Sequence, residues 1–268
     1  PVLNVDAAAT KPVVVYVNGV YYGLLDFGED LNVDYLATHY GADPDACDLI
    51  RTNTTATQGD NKEIKRLIAY VERNSLANSD NYAEFCQWVD VDYMIDYVIA
   101  QSFMGNYDMF NQKYWRSRDY SLKWRPILYD LDCAFRSGSC SAVLTQYFNK
   151  NGYYTPNGTH VQFPLYIALL ENSEWRQKFI ERYVEVCCSL LTADKMTAVL
   201  DEMVSVIDPE MQRHIARCGY RMSYSYWQNQ IASLRTNVAG RPEKALKAVK
   251  SYFGLSDSQM NALIAKHS

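Results

Sequence analysis

The chain has 268 residues, 31 acidic against 26 basic side chains for a formal net charge of −5, and 48% hydrophobic residues. That length and apolar fraction suit a globular protein with a sizeable core. The acidic balance gives no electrostatic footing for nucleic acid or an anionic membrane surface. No run approaches the roughly 20 apolar residues needed to cross a bilayer, so neither a nucleic-acid partner nor a membrane span is expected.

The seven cysteines, at 47, 86, 133, 140, 187, 188 and 218, form no CxxC pair, which argues against a zinc site. Cys133 and Cys140 could close a small loop. Cys86, Cys187 and Cys188 sit in helical patterns and are expected as buried thiols. The chain opens on Pro rather than on an initiating Met, as expected of a piece cut from a longer precursor.

In chain order, the first ten residues read as a loose lead-in. Residues 11–27 alternate around Asn18-Gly19, a strong hairpin signal, with Val13, Val15 and Val17 facing one way and Tyr16 the other. Residues 32–40 form a short helix stopped by Gly41 and Pro44. Residues 51–60 (RTNTTATQGD) are polar and aperiodic, as in an exposed loop. They contain the sequon Asn53-Thr54-Thr55, and a second stands at Asn157-Gly158-Thr159; such triplets often arise by chance. Residues 62–74 are amphipathic, with Ile64, Leu67, Ile68 and Val71 on one side. A further short helix over 79–88 has Ser79 or Asp80 as its cap. Residues 91–104 (VDYMIDYVIAQSFM) are largely apolar, as in a helix buried on most sides, and Gly105 ends it.

The next stretch, 106–132 (NYDMFNQKYWRSRDYSLKWRPILYDLD), carries the chemistry. Two runs, KYWRSR and KWRPILY, flank a turn at Asp119-Tyr120-Ser121 and read as a β-hairpin. A hairpin returns the chain to its start, so Asp108 and Asp130, 22 positions apart, can meet. Carboxylates and an amide oxygen gathered at one point repel unless a proton or cation sits among them. Hard oxygens of this kind suit Mg2+ or Mn2+. The same acids could instead merely cap backbone N–H groups near the turn.

Beyond Asp132, residues 134–160 mix glycines (Gly138, Gly152, Gly158), Pro156 and aromatics, as in an irregular loop, with Tyr153, Tyr154 and His160 as candidates for substrate contact. The four histidines are too scattered for a metal cluster. Helices are expected over 163–170, 173–191, 192–206, 209–217, 223–238, 243–252 and 256–267. Ser173 is a plausible N-cap, and Pro209 starts a separate helix. Arg213, Arg217 and Arg221 would make a basic stripe, for phosphates or simply as a solvated face paired with Glu210.

Four pieces resemble the CotH family, atypical secreted kinases related to spore coat protein H. They are VVVYVNGVYYGLLDFGEDLNVDYL (13–36), GNYDMFNQKYW (105–115), KWRPILYDLDCAF (123–135) and FPLYIALLENSEWRQKFIERY (163–183). Arg241-Pro242, after a Trp-containing helix, also fits. The resemblance implies an α+β, mainly helical fold like the large lobe of a protein kinase, with β-hairpins. Protein kinases share its order of buried helix, catalytic loop, hairpin and metal aspartate. Residues 1–30 would be the remnant of the small lobe and hinge, and residues 31–268 the large lobe, with a catalytic loop at 105–135.

The resemblance also implies roles. Asp108 matches the catalytic-loop aspartate that orients or deprotonates an acceptor hydroxyl. Asp130 matches the metal aspartate, with Asp132 as a second ligand. Asn111 matches the metal asparagine, although it follows Asp108 by three residues where ordinary kinases have about five. Asn106 is expected to shape the loop. Glu29 could reach a nucleotide ribose, or serve only as an acid favoured near a helix start. The implied activity is phosphate transfer from ATP to a Ser or Thr hydroxyl of a protein, with secretion to a cell surface or spore coat. The alternative is a non-catalytic binding module on the same scaffold. Lys11, at a strand start before Pro12, is not suited to pair with phosphates. That lysine is expected upstream of residue 1, and weak nucleotide binding with it.

Overall fold

A computed structural model describes residues 3–52, 54–136, 139–155, 157–218 and 222–267. It is an α+β structure, mainly helical, built around one helix that is buried on every side. This helix, α4 (Val91–Met104), has all residues from Tyr93 to Phe103 inaccessible. Its cap explains its start: the Asp90 carboxylate accepts from Tyr93 N–H at 3.2 Å, satisfying one of the donors that a first helical turn leaves unpaired. Gly105, at φ 63°, ends it in the left-handed region, where a Cβ would be strained.

The helices α5 (Cys140–Tyr147), α6 (Pro164–Glu171), α7 (Ser173–Glu185) and α10 (Arg241–Phe253) surround α4. They bury an aromatic core that includes Tyr97, Tyr147, Phe163, Tyr166, Trp175, Phe179 and Tyr183. A π-helical turn, Val186–Leu190, continues α7.

One face of α4 meets a five-stranded sheet of order β1-β7-β6-β4-β5. The strands are β1 (Asp6–Ala7), β4 (Cys47–Arg51), β5 (Thr55–Gln58), β6 (Lys113–Ser117) and β7 (Arg125–Leu128). Alternate residues serve two cores. Ile50, Tyr114 and Leu128 join the α4 core, while Cys47, Leu49, Trp115 and Ile127 pack with Leu31, Tyr35 and Leu36 of the α1 side. Helix α1 (Val33–Tyr40) is capped by Asn32. The expected β6–β7 hairpin forms, with Lys113 opposite Ile127 and Trp115 opposite Arg125.

The sheet corrects several expectations. Where a loop was expected over 51–60, Arg51 ends β4 and Thr55–Gln58 form β5, and β4 lies between β5 and β6. From Asp6 the expected lead-in is not loose: β1 runs parallel to β7, and buried Asp6 accepts from Trp115 Nε1 at 2.8 Å and from the Tyr40 hydroxyl. Asp48 of β4 is fully buried against Arg116 at 2.7 Å and Arg118 at 3.0 Å.

The hairpin of β2 (Thr10–Val17) and β3 (Val20–Gly28) turns at Asn18-Gly19 as expected. It rests on α8 (Ala193–Cys218): His214 Nδ1 accepts from Leu24 N–H at 3.0 Å, and the Arg213 guanidinium lies 3.9 Å above the Tyr21 ring. Helix α8 is continuous through Pro209, where two helices were expected. Proline removes one hydrogen bond, and an exposed helix leaves the freed carbonyl to water.

The helices α2 (Lys62–Arg73), α3 (Ser79–Trp88), α9 (Tyr224–Ala239) and α11 (Asp257–His267) fall near their expected positions. The caps of α3 and α7 are Asn78 and Asn172, not the neighbouring Ser79, Asp80 or Ser173. The expected loop at 134–160 contains α5 and a small hairpin of β8 (Tyr153–Tyr154) and β9 (His160–Val161). All seven cysteines are free, so no bridge joins Cys133 to Cys140. Asn53 of the first sequon, Gly138 and Pro156 of the expected loop, and Gly219 and Arg221 of the basic stripe lie outside the described residues. No helix among the described residues is long and apolar enough to cross a membrane.

Candidate active site

The site begins where α4 ends. Past Gly105 the chain turns through Asn106, which is almost fully buried. Its amide donates to Gln101 Oε1 at 2.9 Å and to the Asp130 carbonyl at 3.4 Å, and its Oδ1 accepts from Asp108 N–H at 3.2 Å. One side chain thus ties the helix end to both acidic segments, which is the loop-shaping part expected of it. Gln101 is itself held, donating to the Tyr97 hydroxyl at 3.2 Å inside the core. The loop therefore inherits the rigidity of α4.

The other segment arrives from β7. Asp130 has φ 57°, a left-handed conformation that Asp and Asn tolerate better than other side chains. The turn that follows is closed by Ala134 N–H to the Leu131 carbonyl at 2.9 Å. Phe135 N–H to the Met104 carbonyl, at 2.8 Å, then pins it to the end of α4. The Asp-x-Asp pair is bent over the helix terminus instead of running on as a strand.

Between the two segments stands Asn111. Its Nδ2 donates to Asp108 Oδ2 at 3.2 Å and to Asp130 Oδ2 at 2.7 Å. The hairpin therefore brings Asp108 and Asp130 to one amide group. On the other side of Asp108, a carboxylate oxygen lies within 4.8 Å of ligand atoms of Asp132 and Cys133. Asp108 is the acid common to both groupings. Cys133 is the member sequence reasoning missed, and its position directly after Asp-Leu-Asp was the available signal.

The electrostatics follow from this crowding. Burial, and then the charges of Asp130 and Asp132, push the Asp108 carboxyl above its usual pKa. Neutral amide donors soften that repulsion without removing it. A hard divalent cation suits the oxygen donors here, with Asp108 and Asp130 on the Asn111 amide and Asp132 beside Asp108. The Cys133 thiol is too soft to join them around Mg2+. With no cation, Asn111 presents its N–H2 to the acids; as a ligand it would turn its Oδ1 inward.

Glu29 is placed differently. Its two oxygens accept from Ala9 N–H at 2.9 Å and pair with His39 Nε2 at 2.7 Å, and the Ala9 bond, then His39, holds its carboxyl below the usual range. These bonds fasten the end of β3 to α1. Of the candidates for substrate contact, Tyr154 is 73% exposed, while Tyr153 packs against the core. A cleft of about 680 Å3, walled by Arg176, Phe253 and Lys266 among others, shares no lining residue with the acidic cluster.

The sequence pattern of the CotH kinase protein family matches residues 2–244, which span the hairpins, α4 and the acidic cluster. The chain belongs to the CotH family. Membership makes it a kinase-related protein, and kinase-like proteins use nucleotide and divalent metal in general and act on protein substrates. Among curated proteins, none matches the chain significantly. The CotH match ends within α10, so α11 and most of α10 lie beyond it.

Proposed function

We propose that this CotH-family chain transfers phosphate from a nucleoside triphosphate, ATP in the first instance, to a serine or threonine hydroxyl of a protein, with Mg2+ or Mn2+. The observation that carries the reading is the Asn111 amide joining Asp108 to Asp130 across the hairpin. It gathers like charges at the end of a buried helix, an arrangement costly to a protein that has no use for it.

Asp130, Asp132 and a turned Asn111 amide would hold the cation, whose charge would neutralise the phosphate oxygens as transfer proceeds. Asp108 accepts a hydrogen bond from the acceptor hydroxyl and sets its oxygen in line. Its raised proton affinity suits it to take that proton as the bond to phosphorus forms. Asn106 positions both segments from behind. A ribose contact from Glu29 belongs to the same reading and requires it to exchange one of its present bonds. Residues 1–30 are then the remnant of a small lobe and residues 31–268 the large lobe. Export to a cell surface or spore coat rests on family membership alone.

The test is transfer of labelled γ-phosphate to protein acceptors by the wild type, Asp108→Asn and Asp130→Asn, each checked by circular dichroism. Losses of about 10²–10⁴-fold in kcat with folds intact are expected. Equal turnover by Asp130→Asn would refute the assignment. Cation binding with no transfer to any acceptor would leave a binding module on this scaffold.

A further inference from the structure

Beside the acids stand two cations that the fold sets against each other. Arg51 ends β4, Lys113 begins β6, and the register places them directly opposite. Like charges in that relation repel across a sheet. Among the described residues neither has an ion-pair partner. The half-buried Lys113 ammonium donates to the Leu31 carbonyl at 3.3 Å and lies 4.8 Å from the Tyr129 ring centroid. Asp30 acts on it only through space, and the Asp30 carboxylate already accepts from Asn32 Nδ2 at 3.0 Å.

Tyr129 joins the two cations to the acids. It directly precedes Asp130, and its buried hydroxyl makes no hydrogen bond of normal geometry. Arg51 acts on that hydroxyl through its charge and its side-chain N–H groups, and the charges of Asp130 and Asp108 reach it as well. Lys113 in turn reaches this group through the Tyr129 ring, 4.8 Å from its ammonium. The wall of the site therefore has two halves of opposite sign. One gathers carboxylates and wants a cation. The other gathers a guanidinium, an ammonium and a buried phenol, and wants an anion with several acceptor oxygens.

We propose that Arg51, Lys113 and the Tyr129 hydroxyl form the phosphate-binding half of the site and take the polyphosphate chain of a nucleoside triphosphate. The assignment rests on the reading of the acidic cluster as a cation site, because only a cation-bound polyphosphate spans both halves. It places the phosphate-pairing lysine on β6 of this chain, where sequence analysis had put it upstream of residue 1. This stretch then binds polyphosphate by itself.

Inorganic tripolyphosphate, titrated calorimetrically into the whole chain in the presence of a chelator, probes the basic half alone. Mn2+ binding followed by electron paramagnetic resonance probes the acidic half. Lys113→Met and Arg51→Met are each expected to weaken tripolyphosphate by roughly tenfold, as the loss of one charge-assisted hydrogen bond does, with Mn2+ binding kept. Lys113→Arg should restore most of the affinity, separating lost charge from lost structure. Asp130→Asn should do the reverse, abolishing Mn2+ binding while leaving tripolyphosphate unchanged or tighter. Wild-type affinity in Lys113→Met, or no tripolyphosphate binding by the wild type with or without Mn2+, overturns the proposal. Lysine-dependent tripolyphosphate binding in a protein that takes up no Mn2+ would instead retire the cation reading and leave the anion subsite standing.

Discussion

Asp48 lies within strand β4 and Asp108 in the loop between α4 and β6, and the chain treats them in opposite ways. Asp48 is fully buried and answered: Arg116 and Arg118 bind its two oxygens, and Asp60 N–H adds a third bond at 2.9 Å. Even the connection after β5 is shaped to it, because Gly59, at φ 67°, lies where a Cβ would collide with that carboxylate. Asp108 is half-buried and unanswered by any cation among the described residues: its carboxylate accepts from the Asn111 amide while two further acids raise its proton affinity. The same residue type is structural where the protein supplies the counter-charge and available for chemistry where it does not. The β4–β6 register sets Arg116 opposite Asp48, whereas among the described residues no arginine charge acts on Asp108.

The largest effect that could break this contrast is on stability. Asp48→Ala leaves Arg116, itself buried, as an uncompensated charge, and should cost about 3–5 kcal/mol in denaturant unfolding. Asp130→Asn keeps a side chain suited to φ 57° and removes one repelling charge, so its stability should change by less than about 1 kcal/mol. Should the two variants prove equally destabilising, Asp130 would be a second structural acid and the contrast would fail. Between them falls Asn106→Ala. It strands Gln101 and the Asp130 carbonyl in the interior and should cost about 1–3 kcal/mol, and with the acidic segments released, Mn2+ affinity should fall too. Unaltered Mn2+ affinity in that variant would show that the loop holds its shape without its buried amide.

What could be read from the sequence follows the same division. Helix α4 was legible because an apolar run and a terminal glycine agree. The β6–β7 hairpin was legible from its turn, so the meeting of Asp108 with Asp130 could be expected before any geometry was known. Strand β4 was not, because a strand buried on both faces shows no alternation, and Asp48 in its middle reads as a surface residue. Pro209 misled because an isolated proline signals a helix start, and only the exposure of α8 makes its lost bond cheap. Helix α5 hid in a segment whose glycines and aromatics suggested a loop. The opposition of Arg51 and Lys113 could not be read at all: 62 positions separate them, and only the pairing register makes them neighbours.

The smallest expected effect is also the sharpest test of whether the acids await a cation. The folded-state pKa of Asp108 is raised, so its contribution to stability is present below the unfolded carboxyl value of about 4. It is lost as pH rises through the folded value, because the fold then holds a charge it disfavours. A bound divalent cation should reverse that penalty, and protons should compete with the cation for the same oxygens. Mn2+ should therefore raise the melting temperature by about 1–3 °C more at pH 7.5 than at pH 4.5, and Asp108→Asn should flatten the difference. The buried pair at Asp48 offers a control, since Mn2+ has no access to a carboxylate already engaged by two arginines. A pH-independent Mn2+ effect that survives in Asp108→Asn would place the cation elsewhere on the protein, and the unanswered acids would need another explanation.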